Sequence, residues 1–139
     1  MSGENDQVLW RGVRPVDGIR GIWPERNATR IYANNAAIGS TTTIVYTVPS
    51  GKILFIGSGQ LSSRASADGE YIAELKVRDG SDDDVFVLLQ NWHRISGQMG
   101  SMLSYLPALE VAAGYDVVVR SSHANLSTGA MIFGWLEDA

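Results

Sequence analysis

The stretch that most constrains the fold of this chain is residues 41–58, TTTIVYTVPSGKILFIGS. In the extended conformation Ile44, Tyr46 and Val48 fall on one face, opposite two threonines, which is the period-two pattern of a half-buried strand. The PSGK sequence at 49–52 then precedes a second run of β-forming residues. Because proline presets φ for a turn and glycine accepts positive φ, the stretch predicts a hairpin: a strand, a four-residue turn and a second strand.

The rest of the chain repeats this pattern of short apolar runs and turns. From residue 29 onward, short runs of β-formers alternate with turn signals, and no window shows helical spacing over eleven residues. A length of 139 residues fits one domain. We therefore predict an all-β fold: an antiparallel β-sandwich, jelly-roll-like, of about eight strands over 31–139, with an irregular N-terminal arm at 1–30.

Composition narrows the classes of partner. With no cysteine, the chain has no disulfide, no thiolate metal site and no cysteine nucleophile. The apolar runs are too short to span a membrane, and the polar N-terminus lacks the features of a signal peptide, so we expect synthesis in a cytoplasm and no membrane partner. A formal net charge of −4 argues against nucleic-acid binding.

No catalytic signature is present. The two histidines, His93 and His123, are thirty residues apart and in no metal-ligand spacing, and no G-x-S-x-G motif occurs. Gly57-Ser58-Gly59 lies within a strand pattern, which favours a bulge over a phosphate-binding loop. We predict that the protein is not an enzyme and holds no cofactor and no metal, and that His93 is a surface or interface residue.

The acidic run DGSDDD at residues 79–84 is the one stretch that resembles a cation loop. It supplies four carboxylates within six residues, and hard cations bind through several oxygens. However, the twelfth position counted from Asp79 is Gln90, where a calcium loop has a bidentate glutamate. We interpret the run as a solvated acidic turn.

Several predicted strands are apolar on both faces, although a two-sheet sandwich needs only one apolar face per sheet. The second face must be covered by the N-terminal arm or by another subunit, because a bare apolar patch promotes aggregation. We favour a subunit interface, and the residues that we assign to it are Phe86, Leu88, Met131, Phe133 and Trp135.

The arm at 1–30 is irregular but rich in residues that make strong contacts. It carries two tryptophans and five of the nine arginines. The arm could fold back across its own sandwich, or it could dock on a neighbouring molecule. Trp and Arg are enriched in interface hot spots, and this favours docking. The predicted docking residues are Trp10, Arg11, Arg14, Arg20 and Trp23.

Three sequence segments resemble small β-sandwich proteins of tailed bacteriophage virions. They are YTVPSGKILFI, with a VP-(S/A)-G-K turn, LPALEVAAGYDVVVRSS, with an L-x-V-x-x-G turn, and the last strand AMIFGWLED. The resemblance spans about residues 41–136 and implies a trimeric jelly roll that serves as a capsid decoration (cement) protein or as part of a tail or fibre tip.

The resemblance therefore implies a virion structural protein, made in the host cytoplasm. The first expectation is a homotrimer that docks on the major capsid protein or another virion protein and stabilises the head lattice. The alternative is a receptor- or carbohydrate-binding jelly roll at a tail or fibre tip, in which an exposed aromatic residue such as Trp92 or Tyr105 stacks on sugar.

Overall fold

The computed structural model describes Gly21, Ile22, Pro24 and residues 28–139. Within this part the chain forms eight strands joined by short turns, and it contains no helix that could cross a membrane. The strands are β1 (Thr29–Ile38), β2 (Thr41–Thr47), β3 (Lys52–Ala65), β4 (Tyr71–Arg78), β5 (Asp84–His93), β6 (Gly97–Val111), β7 (Asp116–Ser121) and β8 (Leu126–Asp138).

The strands form two four-stranded antiparallel sheets. Sheet 1 has the order β1-β8-β3-β6, and sheet 2 has the order β2-β7-β4-β5. Two facing sheets of four strands, connected mainly by crossings from one sheet to the other, are the architecture of a jelly roll. The predicted all-β sandwich of about eight strands is confirmed.

The core lies between the sheets, where both present an alternating apolar face. Sheet 1 contributes Leu54, Leu61 and Ile132, and sheet 2 contributes Leu75 and Val119, all of them fully or almost fully buried. Burial of one such side chain contributes about 1.5–3 kcal/mol relative to exposure. These faces fix the register of every strand, because a slip by one residue would turn the apolar set outward.

The predicted hairpin at 41–58 has the right strands and the wrong pairing. Gly51 has φ of +74° and Lys52 N donates to Pro49 O at 3.2 Å, so the turn is present. However, β2 pairs with β7 in sheet 2, whereas β3 pairs with β6 and β8 in sheet 1. The turn therefore carries the chain from one sheet to the other.

Strand β6 runs through Gly97 and Gly100, although two glycines so close together are typical of a link between strands. The ladder with β3 begins at the Ala65–Gly97 pair and continues through the Ser62–Gly100 pair. It extends to Val111, past a cis peptide bond between Leu106 and Pro107. A strand forms through both glycines because β3 supplies a hydrogen-bonding partner along that length.

A close backbone contact joins the two central strands of sheet 1. Gly134 of β8 is paired with Ile56 of β3, next to the point where the register shifts between Ile56 and Ser58. A Cβ atom at position 134 would overlap the carbonyl oxygen of Phe55. Only glycine lets β3 and β8 approach this closely at the bulge.

We predict that Gly134→Ala destabilises the fold, since β3 and β8 must separate to admit the methyl group. The expected loss in the free energy of unfolding is about 1–3 kcal/mol, measured by chemical denaturation. Gly100→Ala is the control, because a Cβ at Gly100 meets no atom within 4 Å. Equal effects of the two substitutions would contradict the packing explanation.

Candidate docking surfaces

The outer face of sheet 1 is covered at one end by the chain itself. Ala108 N donates a 2.8 Å hydrogen bond to Gly21 O, and a Cβ at Gly21 would lie 3.2 Å from the ring of Phe55. Phe55 is fully buried, although it lies outside the core between the sheets, and it stacks on Trp135 at 5.4 Å between ring centroids. Trp135 donates its indole N–H to Glu137 at 2.8 Å. At Gly21, the arm therefore packs on its own sandwich.

Beyond this covered end, the outer face of sheet 1 is exposed and apolar. Tyr32 and Phe133 are cross-strand partners whose ring centroids lie 4.8 Å apart, and they are 58% and 40% exposed. Met102 and Ile38 on the same face are each 71% exposed. An exposed apolar face of this kind marks an interaction site.

The outer face of sheet 2 has a different chemistry, dominated by charge pairs. Glu74 is buried in a network with two neighbouring strands: Arg120 donates to its Oε1 at 2.5 Å and Gln90 to its Oε2 at 2.9 Å. Lys76 donates to Asp84 at 3.0 Å, and Arg78 lies near Asp82 and Asp116. Exposed apolar side chains border this network, namely Ile44, Val85, Val87 and Trp92.

The five residues assigned to a subunit interface divide between the interior and the surface. Leu88 lies in the core and Phe86 packs against it, because register shifts in the β4–β5 ladder alter which residues of β5 face inward. Met131 and Phe133 lie on the outer face of sheet 1, while Trp135 is engaged by Phe55. Only Met131 and Phe133 are thus placed to meet a neighbour, and the interface itself remains a prediction.

The predicted docking residues of the arm lie outside the described residues: Trp10, Arg11, Arg14, Arg20 and Trp23. Their docking role also remains a prediction. What the structure adds is the position of Gly21, which lies on the outer face of sheet 1.

His93 is not a surface residue, so that prediction is wrong. It is 4% exposed and lies between the sheets, with its Nε2 2.6 Å from Ser63 Oγ. Asn91 donates to the same Ser63 oxygen at 3.1 Å and accepts from Ser101 at 2.7 Å. Since Ser63 Oγ accepts from Asn91, its own proton is available to the imidazole. These hydrogen bonds satisfy the buried polar groups of His93, Ser63 and Asn91. The three residues thus have the form of a structural network.

The acidic turn uses several of its carboxylates within the fold. Asp79 Oδ1 accepts from the backbone N–H groups of Ser81 and Asp83 at 2.8 and 3.1 Å, which closes the turn. Asp82 pairs with Arg78, and Asp84 pairs with Lys76. Within the described residues no three histidine or acidic side chains are grouped to hold a metal ion. The backbone amides and cationic side chains that hold these carboxylates would compete with a cation for them.

We predict that millimolar calcium leaves the melting temperature of the protein nearly unchanged, because the carboxylates of Asp79, Asp82 and Asp84 are directed to backbone amides and cationic side chains. A cation at a hundred times its Kd would stabilise the fold by about 2.7 kcal/mol, which a thermal melt detects. Magnesium at equal concentration controls for ionic strength. A rise in melting temperature specific to calcium would refute the solvated-turn interpretation.

The pKa values of two groups, Asp138 and Tyr46, are shifted further from neutral pH. The hydrogen bond from Lys52, together with its charge, lowers the pKa of the Asp138 carboxyl. Burial raises the pKa of the Tyr46 phenol. Both shifts favour the form that each group already has at pH 7, so neither gives the molecule an acid or base that acts near neutrality.

No family model matches the chain, and no curated protein matches it in sequence. Among solved structures it is similar to a pentameric capsid protein from metagenomic phage sequences, with 19% identity over 95% of this chain and 75% of that chain and a TM-score of 0.38. The cyanophage Pam1 capsid gives 16% identity, coverage of 88% and 91%, and a TM-score of 0.42. The Bacillus endospore appendages that form disulfide-linked pili give 11% identity, coverage of 91% and 96%, and a TM-score of 0.38. At such low identities and TM-scores, these similarities carry no conclusion about function.

Proposed function

We propose that this protein is a non-enzymatic structural component of a phage virion, a capsid decoration protein that docks on the head lattice. The observation that carries the proposal is the outer face of sheet 1: Gly21 of the arm packs at one end, and the exposed apolar remainder suits a protein that acts within an assembly. The resemblance of residues 41–136 to virion β-sandwich proteins supplies the biological setting.

The arm suits a docking role because of its chemistry. Tryptophan contributes a large, rigid contact area, and the forked guanidinium of arginine binds carboxylates bidentately. The two prolines of the arm lower the entropy lost on ordering. The partner that fits is a protein surface with acidic groups beside apolar pockets, here the major capsid protein or another virion protein.

Several copies would make this docking tighter. When subunits are joined, the second and third arms bind at a high effective concentration, so attachment exceeds the affinity of one arm without any new contact. The proposed state is the homotrimer that the sequence resemblance implies.

We predict that deleting residues 1–20 abolishes binding to heads that lack the protein. The deletion keeps Gly21 on Phe55, so the sandwich should stay folded. Trp10→Ala and Trp23→Ala should each weaken attachment by about 2 kcal/mol or more if these residues are hot spots. Binding is measured by co-sedimentation with purified heads.

Trp92→Ala is the matched control, because Trp92 is 59% exposed on the other sheet. The control should bind heads as the unmodified protein does. Normal decoration of heads by the truncated protein would place the docking surface on the sandwich and refute the arm's role.

A receptor- or carbohydrate-binding role is the second candidate, and the exposure of Trp92 favours it. The indole ring is open to solvent, and its N–H donates to Gln90 at 3.3 Å, beside the Glu74–Arg120 pair. Tyr105, in contrast, packs against the core. If the protein binds cells or glycans but not heads, and Trp92→Ala loses that binding, this second function replaces the first.

A further inference from the structure

We infer that a second copy of this chain packs on the outer face of sheet 1, over a trough and a ridge that run across all four strands. The inference deepens the proposed function, because it assigns the face that joins the copies in the assembly. The inference takes from the proposed function only that more than one copy of the chain is present in the assembly. The covered end at Phe55 and Trp135 lies outside the proposed contact.

The trough is a row of small residues. Ala36, Gly129, Ser62 and Gly100 are direct cross-strand partners, one from each strand of sheet 1. Two surface depressions, of about 740 and 600 Å³, have all four of these residues in common. Small residues in register on four adjacent strands lower the surface along one line, and a neighbouring side chain can approach the backbone there.

The ridge is the adjacent row, formed by the cross-strand partners Asn34, Met131, Gln60 and Met102. Methionine is unbranched and adapts its shape to an irregular surface. Rows on one face of a strand are two residues, or about 6.8 Å, apart. Because every copy carries both features, the ridge of one copy can enter the trough of the next.

Charge favours a second copy over a partner of opposite charge. The aromatic row of Tyr32 and Phe133, the ridge and the trough carry no ionisable acid or base other than the Tyr32 phenol. The next row has a single cation, Arg64. Since each copy has a net charge of −4, like copies repel over most of their surfaces. They can meet without that repulsion on this nearly uncharged face.

The area of the face is sufficient. Four strands at about 4.8 Å and four rows at about 6.8 Å give roughly 500 Å² per copy. Two copies then remove about 1,000 Å² from water, which is the lower bound for a biological interface. Met102, Ile38 and Tyr32 are among the most exposed apolar side chains of the described residues, so much of this area is apolar.

The test measures the mass of the full-length protein by light scattering at micromolar concentrations, for the unmodified chain and three variants. Met102→Glu places a charge on the ridge. Gly100→Gln fills the trough, and it spares the fold because a Cβ at Gly100 meets nothing within 4 Å. Ile95→Glu is the matched control, since Ile95 and Met102 are both 71% exposed but Ile95 lies in the β5–β6 turn.

We expect the unmodified chain and Ile95→Glu to be multimers, and Met102→Glu and Gly100→Gln to associate at least tenfold more weakly with unchanged melting profiles of the monomer. An unmodified chain that is a monomer would overturn the inference, because residues 1–20 or a different protein would then cover the face. Multimers in all four proteins would also overturn it, because the interface would lie elsewhere.

Head binding of the same four proteins separates this inference from the proposed function. If Met102→Glu associates normally while all four proteins fail to bind heads, both ideas are wrong. If association depends on the ridge and trough but no protein binds heads, the proposed function alone fails. If the proteins bind heads and the multimer does not depend on this face, the inference alone fails.

Discussion

Burial of the two apolar sheet faces against each other is the interaction on which the rest of this molecule depends. Most consecutive strands lie in different sheets, and β4 and β5 are the one sequence-adjacent pair that is hydrogen-bonded in the described part of the chain. The other ladders join strands that are distant in sequence, such as β1 with β8. Such a fold gains little from local pairing, so its stability comes from the assembled core and its folding is expected to be slow.

This topology explains which parts of the fold the sequence predicts. Alternation identifies strands, because it depends only on which residues face the core, and the sandwich with about eight strands follows from it. Pairing is not local information, so the stretch at 41–58 predicts two correct strands and an incorrect hairpin. In the same way, Gly97 and Gly100 indicate a link when seen alone, but β3 provides a ladder through them.

The sequence identified only part of the outer face of sheet 1, again because it does not show which strands are neighbours. Met131 and Phe133 stand out in an apolar strand, whereas Tyr32 and Met102 lie among polar and small residues whose meaning appears only when four strands are aligned. The trough is invisible in the sequence because its four residues come from four separate strands. His93 was misassigned since a polar residue beside Trp92 gives no sign of the buried partners Ser63 and Asn91 that satisfy it.

The two outer faces of the sandwich differ in charge, and each suits a different kind of contact. Sheet 2 neutralises its polar face internally through pairs such as Glu74 with Arg120, which suits contact with water. The exposed part of the outer face of sheet 1 is nearly uncharged, and Gly21 packs on the covered end of that face, beside Phe55. From Phe55 to the trough is roughly 20 Å along β3, and twenty extended residues span up to about 70 Å. The arm is therefore long enough to reach a neighbouring protein from Gly21 without crossing the trough. Self-association and arm docking can then occur together. Several joined arms increase attachment only when both occur at once.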